Sequence, residues 1–142
     1  MKVLSLLQPW ATLVVMGVKK IETRSWSTNY RGPLLIHASQ GKAGALVAQE
    51  RPFSRYIHDF GELPFGSIIG QVRLERVLRM DQLFLHPEEI NRLSVEERAF
   101  GDYSGNRFAW MLEQPVQFTQ PTPVRGALNL WDFPAENLLS KD

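Results

Sequence analysis

Apolar and polar positions alternate with a period of two along several short stretches of this chain, and with a helical period along only a few. Ile68, Gly70, Val72 and Leu74 alternate with Ile69, Gln71, Arg73 and Glu75, which predicts a half-buried strand. Phe108, Trp110 and Leu112 repeat the pattern and place Trp110 on an inward face. Residues 3–6, 21–26 and 34–38 read as further strands, the last entered through the turn signal Arg31-Gly32-Pro33. Residues 116–118 form one more before a proline-rich turn, and 126–131 would close the sheet. Helical spacing is local. Pro9 suits the first position of a helix over 10–16, because its missing N–H would be unpaired there, and Gly17 is placed to end it. Residues 43–50 read as helical up to Pro52, after which Phe53, Tyr56, Ile57 and Phe60 recur at helical spacing. Ser94 followed by Glu97 is a capping box for a short helix ending near Gly101.

Strands and helices of unequal length in this order lack a regular βαβ alternation, which argues against a doubly wound parallel sheet. The expected fold class is α+β: a small, mostly antiparallel β-barrel or curved sheet with helices packed around it. No repeat, heptad pattern or low-complexity linker divides the chain, so residues 1–142 read as a single domain.

Composition narrows the chemistry. With 142 residues, 44% of them hydrophobic, the chain can bury a core without staples. It has no cysteine, which excludes disulfides, thiolate metal sites and cysteine nucleophiles. His37, His58 and His86 are too scattered for a zinc site, and neither G-x-G-x-x-G nor G-x-x-x-x-G-K-[ST] occurs. No metal and no cofactor are therefore expected. No apolar run approaches the roughly 20 residues needed to cross a bilayer, and the first residues are too polar for a secretory signal. The expectation is no membrane association and a cytoplasmic location. The net charge of +1 hides an asymmetry. Residues 88–102 hold Glu88, Glu89, Glu96, Glu97 and Asp102 against Arg92 and Arg98, whereas Arg51, Arg55, Arg73, Arg76 and Arg79 can build a basic surface elsewhere.

Residues 17–26 carry the most information. In a strand over 21–26, Lys20, Glu22 and Arg24 share one face while Ile21 and Thr23 take the other. Lys19 lies at the turn, outside that alternation. Lys19, Lys20, Arg24 and Arg31 oppose the single acid Glu22. A solvated face on which Glu22 pairs with Arg24 or Lys20 is the plain reading of this pattern.

The spacing Gly17-x-Lys19-x-x-Glu22-x-Arg24 resembles the G-x-K-x-x-E-x-R signature of the ASCH domain family, a branch of the PUA-like fold. Its surroundings agree: Leu4-Ser-Leu, Gln8-Pro9-Trp10, Arg24-Ser-Trp26, and the run from Gly32 through His37 to Ser39. So do Phe108-Ala-Trp110-x-Leu112 and Gly126-x-Leu128-x-Leu130-Trp131, and the resemblance covers residues 1–133. It implies a small barrel with a cleft beside the signature, and a protein that binds RNA or a modified nucleotide. Some small bacterial members hydrolyse the acetyl amide of N4-acetylcytidine nucleosides, and ribonuclease activity has been proposed for others. Those deacetylases use the signature lysine, a threonine where this chain has Glu22, and a glutamate in a later helical segment. This chain keeps Lys19 and departs at Glu22; Glu88, Glu89, Glu96 and Glu97 all fall in the later segment, and spacing does not choose among them.

Lys19 can supply a point charge for phosphate, or polarise a carbonyl, and Arg24 a planar fork. Glu22 can accept from an exocyclic amine or act as a general base, although neighbouring cations favour its ionised form. Lys19 and Glu22 are thus the candidate catalytic pair. Trp10 and Trp26 are candidates for base stacking or for core packing, and Trp110 and Trp131 for core. The Gln8 amide can read a base edge or cap the first helix. His37 and Ser39 share a strand face and either meet a ligand or bond to backbone. The candidate ligand-binding set is Gln8, Trp10, Lys19, Glu22, Arg24, Trp26, Arg31, His37 and Ser39, with RNA or a nucleotide as the ligand and any protein partner left open.

Overall fold

The computed structural model describes residues 1–90 and 93–142, so Arg92 of the acidic stretch lies outside the described residues. Six strands, β1 (Lys2–Leu6), β2 (Ile21–Arg24), β3 (Gly32–Ala38), β4 (Ser67–Arg79), β5 (Phe108–Pro123) and β6 (Leu130–Asp132), form one sheet in the order β2-β5-β4-β3-β1-β6. β1 runs parallel to β3 and every other pairing is antiparallel. The fold class is α+β, as the pattern predicts, but the barrel is not closed. β2 and β6 are the two outer strands of the sheet and share no ladder; β6, three residues long, pairs only with β1.

A helix fills the curve of the sheet. α1 (Trp10–Val15) packs Ala11, Val14 and Val15 against Leu4, Leu6, Leu34, Ile36, Val72 and the fully buried Trp110. The opposite face of β1 and β3 is buried too. Val3, Leu35, Ile68 and Phe118 pack there under Trp131, Phe133 and Leu138 of the C-terminal segment. This two-sided burial explains why 34–36 is a continuous apolar run. Trp131 is only half-buried in that layer, a correction to its expected place in the core.

Close approach of α1 depends on Gly70. A Cβ there would stand 2.5 Å from Val15 Cγ1 and against the carbonyl oxygen of Val116. Gly17 ends the helix at φ 81°, in the left-handed region that glycine adopts without strain. The segments over 43–50 and 53–60 hold only short 3-10 turns (Val47–Gln49, Phe53–Arg55, Phe60–Glu62), whose apolar residues still join Leu13 and Phe100 in a third cluster. Residues 108–118 do not split into two strands. The register shifts of β4 against β5, with Gln114 at φ 52°, absorb the apparent break as bulges in one bent strand.

After β4 come α2 (Met80–Leu85), α3 (Pro87–Ile90) and α4 (Val95–Phe100). Met80, Leu83 and Leu93 cover Ile21, Ala109 and Met111 on the outer face of β2 and β5. Replacing Gly70 by alanine is expected to lower stability by about 1–3 kcal/mol, the usual cost of overpacking, in urea unfolding. An unchanged midpoint would show that α1 does not need this contact.

Candidate functional site

β2 is an outer strand. Its Glu22 and Arg24 stand opposite Trp110 and Phe108 of β5, the carbonyl of Lys20 just before it accepts from the Leu112 N–H, and the main-chain groups of Ile21 and Thr23 point away from the sheet. Four side chains satisfy that free edge. The Glu97 carboxylate of α4 accepts from the N–H of Ile21 at 2.8 Å and from the N–H of Lys20 at 3.0 and 3.1 Å. Lys19 Nζ donates to the Ile21 carbonyl. Glu22 Oε1 accepts from the Thr23 N–H at 3.1 Å, and Arg107 Nη2 donates to the Thr23 carbonyl at 3.0 Å. Thr23 Oγ1 in turn accepts from the Asp102 N–H at 3.0 Å.

Lys19 and Glu22 meet inside this arrangement. Lys19 is 1% exposed and Glu22 7%, with Nζ 3.5 Å from Oε1. Glu97 lies within electrostatic reach of Lys19. Burial pushes its carboxyl above the usual carboxylate range, opposed by the two backbone N–H groups and the lysines. The Tyr103 hydroxyl is buried with no hydrogen-bond partner among the described residues, and burial followed by the charges of Glu97 and Glu22 raises its pKa. Of the four later glutamates among which spacing did not choose, Glu97 is the one the structure brings to this segment, and sequence reasoning left it out of the candidate set. Its capping-box spacing was the visible signal: Ser94 Oγ does accept from the Glu97 N–H, at 3.0 Å, but the carboxylate turns to β2 instead of back to its own helix.

The remaining candidates fall into three groups. Gln8 and Arg31 are occupied within the protein. The buried Gln8 amide accepts from the Thr12 N–H at 3.0 Å, capping α1, and donates to the Pro64 carbonyl at 2.9 Å. Arg31 donates to the carbonyls of Thr28 and Tyr30 in its own loop. Arg24, His37 and Ser39 come together around a cleft of about 760 Å³, to which the loop after β5 adds Arg125 and Asn129. His37 forms its floor. Nε2–H donates to the Val124 carbonyl at 2.8 Å, so the imidazole, whose pKa burial lowers, takes the Ser5 hydroxyl at Nδ1, 3.0 Å away. Trp131 Nε1 donates to the same hydroxyl at 3.1 Å. A smaller chamber of about 340 Å³, sharing Arg24 with the cleft, is lined by Trp10, Phe53, Phe100 and Glu22.

Trp26 is half-buried, edge-on to Trp110 at 4.9 Å, and its carbonyl accepts from Trp110 Nε1 at 3.2 Å. The Arg24 guanidinium lies over the Trp26 ring, 5.6 Å from its centroid. Neither Arg24 nor Arg125 has a carboxylate partner among the described residues, and no acidic side chain lines the larger cleft. The arginines expected to add a basic surface mostly do not. Arg55, Arg73, Arg76 and Arg79 pair with Glu96, Glu75, Glu89 and Asp81. Among the described residues no cluster of His, Asp and Glu could hold a metal ion, and no helix is long and apolar enough to cross a membrane.

An open mixed sheet with one helix in its curve, and a charged segment clamped at the turn into its outer strand, defines the class of domain. The chain belongs to the ASCH domain family, whose model matches residues 4–122. It is 31% identical over 134 residues to activating signal cointegrator 1 of Mus musculus and of Homo sapiens, covering 90% of this chain. The alignment takes in 21% of those proteins, so the chain spans about a fifth of the length of the curated relatives it matches. Among solved structures, the ASCH protein of Zymomonas mobilis superposes with a TM-score of 0.58 at 17% identity, covering 96% of this chain and 89% of that one. A variant of the same protein gives 0.56 at 18% identity, with 96% and 91% covered. These similarities establish the fold.

The buried groups generate two expectations. Lys19→Ala strands Glu22 and empties the Ile21 carbonyl, and is expected to lose about 3–5 kcal/mol in chemical denaturation, the usual cost of breaking a buried pair. Because the Glu97 pKa is raised on folding, the native state binds more protons above the ordinary carboxylate range, and its stability falls as pH rises through that window. Glu97→Gln keeps an acceptor and removes the titration. Its stability relative to wild type is expected to improve as pH rises from acid toward neutral; a pH-independent difference would contradict this assignment.

Proposed function

We propose that this chain is a nucleic-acid-binding module, taking RNA or a modified nucleotide at the cleft where Arg24 and Arg125 converge. One observation carries the reading: two guanidinium groups without carboxylate partners face a cleft that contains no acidic side chain. An anion there meets the half-buried Arg24 and the exposed Arg125, and the planar fork of arginine suits phosphate oxygens. Ser39, Gln40 and Asn129 add neutral hydrogen-bonding groups along the same surface. Membership of a family linked to RNA binding supports the assignment. Lys19 is not part of the phosphate contact in this reading, because its ammonium is buried on Ile21 and Glu22.

Arg24→Ala and Arg125→Ala are expected to weaken binding of a single-stranded oligoribonucleotide in fluorescence anisotropy. Each lost phosphate contact should reduce the slope of log affinity against log salt by about 0.7. Unchanged slopes in both variants, with the fold intact, would remove the cleft from the interface.

A second reading, hydrolysis of an N4-acetylcytidine-type amide or of RNA, draws on the buried Lys19, Glu22 and Glu97 and on the raised Glu97 pKa. Geometry favours binding over turnover: both Glu97 oxygens accept main-chain N–H groups, and Glu22 Oε1 is held by Lys19 and Thr23. The wild-type chain is expected to show little or no hydrolysis of N4-acetylcytidine by chromatography. Robust turnover that Glu22→Gln abolishes while nucleotide binding survives would reverse the order of the two readings.

A further inference from the structure

We infer that the chamber beside Arg24 takes one unpaired base, and that Glu22 selects a base presenting an exocyclic amine, cytosine over uracil. This deepens the nucleic-acid reading and rests on it for the path of the phosphates, but the chamber has its own chemistry. Its volume of about 340 Å³ lies at the lower end of small-molecule sites, which span about 300–1,000 Å³. Trp10, half-buried and edge-on to Phe53 at 6.0 Å, lines the chamber and is its candidate for stacking.

Glu22 supplies the reading edge. Its side chain is 90% buried, and only Oε1 is engaged, by the Thr23 N–H and the Lys19 ammonium. Oε2 has no partner among the described residues and is not sealed away from the chamber that Glu22 lines. The other carboxylate at this wall, Asp102, is turned to Ser104 and Arg107. A carboxylate oxygen that bears no proton is an acceptor only, so it favours an N–H donor and repels a carbonyl oxygen. Cytosine and uracil have the same shape and differ at this edge, an amine in one and a carbonyl in the other. Arg24 lines both the chamber and the cleft, so a base in the chamber leaves its phosphate beside the unpaired guanidiniums.

The test uses the 142-residue chain with two probes. Short oligoribonucleotides differing by one cytosine or uracil are compared by anisotropy, and free cytidine and uridine by NMR shifts of the Trp10 indole N–H. Cytosine is expected to bind about tenfold or more tightly, the usual worth of a hydrogen bond to a charged acceptor. Glu22→Gln, whose amide offers a donor as well as an acceptor, should remove most of that ratio. Arg24→Ala and Arg125→Ala should weaken both oligonucleotides alike. Should Glu22→Gln fail to fold, Trp10→Ala is expected to abolish the nucleoside shifts and reduce the ratio. Equal affinity for the two bases in the wild type overturns base selection and leaves the phosphate reading standing. Cytidine that leaves the Trp10 indole unmoved overturns the chamber itself.

Discussion

The free edge of β2 is the constraint on which the rest of this molecule depends. An outer strand exposes a row of N–H and C=O groups that must find partners, and proteins otherwise cover such an edge or keep it short. Here the strand is four residues long, and the side chains of Glu97, Lys19, Glu22 and Arg107 take the place of a neighbouring strand. Two of those side chains come from the signature itself and two from elements far along the sequence. The signature spacing thereby acquires a structural meaning. A glycine stops α1, the next turn sends Lys19 inward to the carbonyl two residues ahead, and Glu22 folds its carboxylate back onto the following N–H.

This division of labour sorts the charges by what they are free to do. Lys19 and Glu97 are consumed by main-chain groups, and Arg107 is shared between Thr23 and Asp102. Arg24 is not consumed. It stacks on Trp26, and Trp26 is fixed by the fully buried Trp110 through both a ring contact and a hydrogen bond. The direction of this half-buried cation is therefore set from the core outward, which would lower the entropy lost were a ligand to engage it.

Period-two alternation made the strands and the burial of Trp110 legible, because each strand face has one fate. The helix stop at Gly17 was legible because only its backbone conformation matters. What pairwise distance decides was not. Glu97 meets Ile21 across 76 residues, and its spacing from Ser94 describes a helix cap equally well. Arg125 and Asn129 sit in a segment whose Gly126-x-Leu128-x-Leu130 alternation reads as a strand; Leu128 is exposed and only Leu130 enters β6. The open sheet was hidden for a related reason, since closure depends on how two outer strands approach and not on the pattern within either.

A buried ion pair is weak evidence for stability, because an apolar pair of similar volume often serves as well. The edge of β2 accounts for Lys19, whose ammonium no apolar side chain could replace at the Ile21 carbonyl. It accounts equally for Glu22 Oε1. Oε2 takes no part in that edge and has no hydrogen-bond partner among the described residues. The buried Lys19 ammonium accounts for the charge at this position, because a neutral acceptor there would leave that cation without its counter-ion. Glu22 and Arg24, two residues apart on one face of β2, thus line one chamber with an acidic and a basic side chain.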